Sequence, residues 1–333
     1  MRIIKCNDSI IHLDLTQNNI TTKGSKKVFK ALAQNFSLIS LKIGNLENVS
    51  KNRVGVKAVP KLNKFLTASQ VLSFLDLRST NLTDAGLSLL CTGLVGNRTL
   101  ENLSLSKNDI TSSGMEKFAP ILAKTAVRDL DLSLNPLGNN GVRCLAENLF
   151  GRVPDERRPG MTKKGDACLL TKLNLSETKF QEQGGYHLFR NLIEFHKLET
   201  LVLDYNLFES SNMQIMSRFL QTSRIRTFSI NYCKLGDVGG AAIGDALGST
   251  QTKLIELRAK KNEFRDKTAR SIAEALEGRS SVERLDLSSN LINDSGGELL
   301  GLAIATNETL SFLNLRKNNL RATSGAMFAQ SMK

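Results

Sequence analysis

Three residue types in this chain could do chemistry, and none is spaced for it. The histidines are His12, His187 and His196, and none recurs at a metal-ligand spacing with cysteines or carboxylates. The five cysteines, Cys6, Cys91, Cys144, Cys168 and Cys233, are odd in number, widely spread and without a C-x-x-C pair. That usage fits a reducing compartment rather than a disulfide framework. The run GDVGGAAIGDALG at 236–248 has the look of a phosphate loop, but it lacks the Lys-[Ser/Thr] ending that reaches phosphate and metal. Asp76, Asp131 and Asp286 share one pattern position, yet Ser104 stands at that position between the first two, and paired acid–base carboxylates need adjacency. The expectation is a non-catalytic protein with no cofactor and no metal.

Binding chemistry is better placed. Tyr205 and Tyr232 are 27 residues apart, and Lys261 follows 29 residues later. Tyrosines beside basic residues have the composition of an interface hot spot. The candidate partner-binding set is Tyr205, Tyr232, Arg258, Lys260 and Lys261, with Arg316 and Lys317 at its rim. A rival is a basic patch of Lys23, Lys26, Lys27, Lys30, Lys51, Arg53, Lys57, Lys61 and Lys64. Residues 1–64 hold twelve basic and three acidic residues, so they carry +9 of the formal +13. Such a patch attracts acidic proteins, anionic lipid or nucleic acid. It has no interleaved aromatics to stack on bases, and no nucleic-acid-binding module is present, so one or more acidic protein partners are expected.

The recurring interval near 28 leads to the elements that hold these residues. HLDLTQNNI at 12–20 has relatives at 74–82, 102–110, 129–137 and 284–292, all fitting L-x-x-L-x-L-x-x-N-x-L. The fourth-position residues are Leu13, Leu41, Leu75, Leu103, Leu130, Leu173, Leu201, Phe228, Leu257, Leu285 and Leu313. Their spacings are 28, 34, 28, 27, 43, 28, 27, 29, 28 and 28. The L-x-L core alternates with period two and predicts a short strand. A glycine such as Gly24, Gly86, Gly114 or Gly141 then opens a helical segment. No such unit buries its apolar face alone, so successive units must stack. Asn18, Asn108, Asn135, Asn206, Asn262, Asn290 and Asn318 fall in the turn after the strand, where an amide can donate and accept for stranded backbone groups. Thr80, Thr178 and Cys233 substitute there. Leu46 holds the place in the second unit, which predicts an irregular turn.

This pattern resembles the leucine-rich repeats of the ribonuclease inhibitor-like type, over roughly residues 10–333. The resemblance implies an α/β solenoid, a horseshoe of about eleven repeats with a concave parallel sheet and convex helices. It leaves function open. One leucine-rich repeat domain spanning 1–333 is expected, with insertions near 46–64 and 151–168. The chain ends inside the helix of the last repeat, which reads as an excerpt of a longer protein. The functional expectation is a protein–protein interaction scaffold in a larger intracellular assembly, cytoplasmic and cytoskeletal or ciliary. The alternatives are a regulator of a small GTPase, as in the Ran GTPase-activating family, or the sensing region of a larger receptor. No apolar run reaches the ~18 residues of a membrane span.

Overall fold

The computed structural model describes residues 7–45, 51–150, 168–208, 210–278 and 280–331. The fold is α/β and follows the repeat: each coil is a three-residue strand, a tight turn and a helix. The chain divides into two compact units, Met1–Lys179 and Phe180–Lys333.

In the first unit the strands are β1 (His12–Asp14), β2 (Ser40–Lys42), β3 (Phe74–Asp76), β4 (Asn102–Ser104), β5 (Asp129–Asp131) and β6 (Lys172–Asn174). They pair in parallel in chain order, with Leu13, Leu41, Leu75, Leu103, Leu130 and Leu173 in one register. The helices are α1 (Thr22–Leu32), α2 (Gly55–Ala68), α3 (Thr83–Gly96), α4 (Ser112–Leu122) and α5 (Gly138–Leu149). The second unit holds α6 (Glu182–Leu192), β7 (Thr200–Val202), α7 (Met213–Thr222), β8 (Thr227–Ser229), α8 (Gly236–Leu247) and β9 (Glu256–Arg258). It continues with α9 (Asp266–Glu277), β10 (Arg284–Asp286), α10 (Asp294–Thr306), β11 (Phe312–Asn314) and α11 (Ala322–Ser331). Here Leu201, Phe228, Leu257, Leu285 and Leu313 share the register.

Burial explains why the coils stack. Leu41, Leu75, Leu103, Leu130 and Leu173, like Leu201, Phe228, Leu257 and Leu285, are buried. Each such side chain contributes roughly 1.5–3 kcal/mol when removed from water. The glycine run at 236–248 becomes α8, and its glycines serve packing. A Cβ on Gly240 would meet the Thr268 side chain, and one on Gly244 would fall 2.6 Å from the Ser271 Cβ. The turn amides behave as the pattern predicts. Asn108 Nδ2 donates to the Leu77 and Leu105 carbonyls at 2.8 and 3.1 Å, and its Oδ1 accepts from the Thr80 and Leu82 amides at 3.0 and 3.1 Å. Asn135 and Asn290 repeat this arrangement, so buried amides tie their coils to the preceding ones.

The first insertion gives a correction. Leu46 lies outside the described residues, but the ladder place of its coil is filled by Asn52. Its Oδ1 accepts from the Ile20 amide at 2.9 Å, and its Nδ2 donates to the Leu15 and Ile43 carbonyls at 2.6 and 3.1 Å. The chain leaves the template, and an asparagine six residues on restores its hydrogen bonds. Lys57, Lys61 and Lys64 therefore sit on α2 itself, not on an inserted loop. Of the second insertion, 151–167 lies outside the described residues.

Candidate partner-binding site

The tyrosines sit where they do because of one backbone feature. In ten coils the residue just ahead of the ladder position has a positive φ, from Gln17 through Tyr205, Tyr232, Lys261, Ser289 and Lys317. Its φ is 59° at both tyrosines and 52° at Lys261. A non-glycine residue in this region carries a cost of roughly 1–2 kcal/mol. Hydrogen bonds hold it there. The Tyr205 amide donates to the Asn231 carbonyl at 2.9 Å, the Tyr232 amide to the Lys260 carbonyl at 2.8 Å and the Lys261 amide to the Ser288 carbonyl at 3.0 Å. Successive coils are thus locked in step past the ends of their strands. Their turn side chains fall one strand spacing apart, ~5 Å.

The rings use that spacing. Tyr205 and Tyr232 stack with centroids 4.3 Å apart and planes 14° from parallel. Lys261 Nζ lies 5.1 Å from the Tyr232 ring centroid and Lys260 Nζ 5.4 Å, both within cation–π range. Tyr205 is 50% exposed. A hydrogen bond from Lys260 holds the Tyr232 phenol below its ordinary pKa, outweighing a small desolvation. A hydrogen bond from Tyr205 and the charges of Lys260 and Lys261 add to the lowering.

Beneath the rings runs a polar brace that the sequence reading missed. Asp204 Oδ1 accepts from the Ser229 hydroxyl at 2.7 Å and the Asn231 amide at 2.8 Å, and its Oδ2 accepts from Asn231 Nδ2 at 3.0 Å. Asn231 Oδ1 then accepts from the Lys260 amide at 2.8 Å. Asp204, Asn231 and Lys260 each lie three residues after the core residue of their strand. Polar residues repeating at that register were the available signal. The ladder residue of this coil is Cys233, whose Sγ lies 3.2 Å from the Asn231 carbonyl and 3.4 Å from the Leu203 carbonyl. Burial pushes its thiol up to about 12.

The remaining predicted residues fall out differently. Arg258 belongs to the same surface but is not a free cation: its Nε lies 2.9 Å from Glu256 Oε1. Glu256 also faces Arg284 at 3.7 Å, and the Arg284 guanidinium lies 4.5 Å from the Phe312 ring centroid. Glu256 stands before the core leucine of its strand, outside the 258–261 stretch from which the candidate set is drawn. Arg316 and Lys317 are exposed on the last coil. Lys317 shares the turn register with Lys261 but is separated from it by Ser289. They extend the basic rim without joining the aromatic stack.

Of the rival patch, Lys23, Lys27, Lys30, Lys51, Arg53, Lys57 and Lys64 are exposed, and Lys26 and Lys61 are half-buried. Among the described residues, no group of three or more His, Cys, Asp or Glu is placed to hold a metal ion. No helix among them is long and apolar enough to cross a membrane.

Known proteins show the same repeat. A sequence model described as a leucine-rich repeat matches residues 6–28, 68–91, 96–119, 124–146 and 280–301. Pig (Sus scrofa) ribonuclease inhibitor is 26% identical over 320 residues, covering 91% of this chain and 69% of its own length. Mouse (Mus musculus) ribonuclease inhibitor is 27% identical over 277 residues, covering 82% and 56%. Mouse NACHT, LRR and PYD domains-containing protein 14 is 25% identical over 297 residues, covering 88% of this chain. The chain spans only 25% of that relative's length.

Proposed function

We propose that this chain, a leucine-rich repeat protein of the ribonuclease inhibitor-like type, is a non-catalytic scaffold that grips an acidic protein partner on the turn cluster around Tyr205, Tyr232, Lys260 and Lys261. The stacked ring pair at 4.3 Å with two ammonium groups over it carries the proposal. Aromatic side chains supply contact area with little rotamer entropy to lose. The positive-φ backbone and the Asp204–Asn231 brace fix that area before the partner arrives, which lowers the ordering cost of association. The two lysines favour an acidic contact.

The same proposal sets the protein in a larger intracellular assembly, cytoskeletal or ciliary. Its support is the basic balance and the resemblance to intracellular repeat proteins. A second reading has its own support. NACHT, LRR and PYD domains-containing proteins match this chain over a fraction of their length, 25% for the mouse protein 14 and 30% for the mouse protein 12. That favours the sensing region of a larger receptor. Both readings use the same surface.

The test places a photocrosslinking phenylalanine analogue at Tyr205, and separately at Ser104 on the strand face of the first unit, in native cells. A partner captured through position 205 and lost with Tyr232→Ala supports the proposal. Equal capture from both positions, or capture indifferent to Tyr232→Ala, refutes it.

A further inference from the structure

The two helices α1 and α2 carry seven lysines and no acidic residue. They pack side by side in the first unit. Counted from the ladder asparagines Asn18 and Asn52, Lys23 and Lys57 hold the same place, and so do Lys27 and Lys61. Four ammonium groups therefore form a grid. It is ~6 Å long, since each pair is four residues apart at 1.5 Å rise, and ~8–10 Å wide, the usual distance between packed helix axes. Lys30 and Lys64, which also share a place, and Lys26 border it.

The arrangement works against the helices that carry it. Like charges four residues apart destabilise a helix by a few tenths of a kcal/mol per pair. Lys23 and Lys57 stand in first turns, where the helix dipole disfavours positive charge. Five other helices have an acidic residue in that turn, namely Asp84, Glu182, Asp237, Asp266 and Asp294. All five of these acids accept hydrogen bonds from the next coil, Glu182 from the Ser211 hydroxyl. α1 and α2 forgo that link, and none of their seven lysines forms an ion pair with a described residue.

We propose that the α1–α2 face is a second docking surface, independent of the turn cluster, for an extended acidic polypeptide segment. The commitment to a polypeptide comes from spacing and from what the face lacks. In an extended chain, side chains on one side recur every ~6.5–7 Å, and neighbours point to opposite sides. A run of Glu or Asp laid between the helices thus meets Lys23 and Lys27 with one set and Lys57 and Lys61 with the other. Lysine is a flexible point charge suited to carboxylates in any orientation. Apart from Pro60, the exposed positions of the two helices are Lys and Thr, so the large apolar residues that carry an interfacial helix into lipid are missing from the face.

The experiment measures fluorescence anisotropy of a labelled octaglutamate peptide against the full chain, with octaglutamine and phosphatidylserine vesicles as the other probes. Octaglutamate should bind at low salt and weaken steeply at physiological salt. Lys23→Glu with Lys27→Glu, or Lys57→Glu with Lys61→Glu, should each weaken binding about tenfold or more, and all four changes together should abolish it. Lys260→Glu with Lys261→Glu should leave it within about twofold, whatever that change does to the turn cluster. If charge reversal perturbs folding by circular dichroism, the four lysine-to-glutamine changes serve instead, with the same loss expected. Octaglutamate binding that survives the four changes overturns the proposal. So does vesicle binding by a chain that leaves octaglutamate free, because the face then reads a lipid surface.

Discussion

At the turn cluster two ammonium groups sit over one aromatic ring, whereas on α1 and α2 seven ammonium groups sit over none. The cluster rests on backbone fixed by inter-coil hydrogen bonds and braced by Asp204 and Asn231. The lysine face rests on exposed or half-buried helix positions, and no ion pair with a described residue holds its side chains. Charge alone steers a partner and sets how fast it arrives; fixed aromatic area decides how long it stays. The two proposed surfaces thus differ in build, and each should be breakable without touching the chemistry of the other.

The largest effect should come from the core under the cluster. Leu201 is fully buried, so Leu201→Ala should lower stability by about 2–5 kcal/mol through lost burial and a cavity. A urea titration measures this as a lower midpoint. The loss should reach neighbouring coils through their stacking, and partner binding at the cluster should fall with it. An unchanged midpoint would mean that Leu201 does not carry the stack.

Tyr232→Ala comes next. It removes both the stacking partner of Tyr205 and the ring under two lysines, and should weaken partner binding by about 1–4 kcal/mol. The change should appear mainly in dissociation. Charge reversal at Lys260 and Lys261 should instead slow association and flatten its salt dependence. Reversal at Lys26, Lys27 and Lys30 tests the comparison from the other side. If it alone reduces affinity for the captured partner, the division between the two surfaces is wrong.

A third change reaches the support of the lysine face. Asn52→Ala strands the Ile43 carbonyl and the Ile20 amide and leaves the Leu15 carbonyl to Asn18 alone, groups that Asn52 satisfies while itself fully buried. Unsatisfied buried groups should cost about 1–3 kcal/mol, measured again as a lower urea midpoint. Asn52→Asp keeps the acceptor but buries a carboxylate against two carbonyl oxygens, and should not restore the loss at neutral pH. If Asn52→Ala leaves the midpoint in place, water replaces the amide, and the ladder there is not structural.

Asn52 also marks the boundary of what the sequence makes legible. The core leucines and most ladder asparagines can be read because they recur at a fixed interval, and a register once established places Tyr205, Tyr232 and Lys261 side by side. Asn52 escapes because an insertion moves it off the interval, although its hydrogen bonds are the standard ones. The pairing of Arg258 and Arg284 with Glu256 escapes for a different reason. It depends on which side chains of adjacent strands turn toward each other, and period-two alternation places Glu256 and Arg258 on one face without saying which of them pair. The basic patch was legible as a total charge. Its grid was not, because it depends on two helices running in step from Asn18 and the displaced Asn52.

The smallest expected effect needs no partner. The lysines beside Tyr232 stabilise its phenolate, so its pKa lies below the ordinary value of 10.0. The chain has only three tyrosines, Tyr186, Tyr205 and Tyr232, so absorbance of the phenolate can resolve them as pH rises. Tyr232→Phe should remove the earliest component. Lys260→Met deletes the leading hydrogen bond and should return that component toward 10.0. Charge reversal of the four grid lysines on α1 and α2 should leave it unmoved, since none of them contributes to the Tyr232 shift. A titration in which all three tyrosines ionise together near the ordinary value would show that the ammonium groups do not reside over the ring in solution. The turn cluster would then be a basic surface of the same kind as the helix face, and the distinction between anchoring and steering would fall.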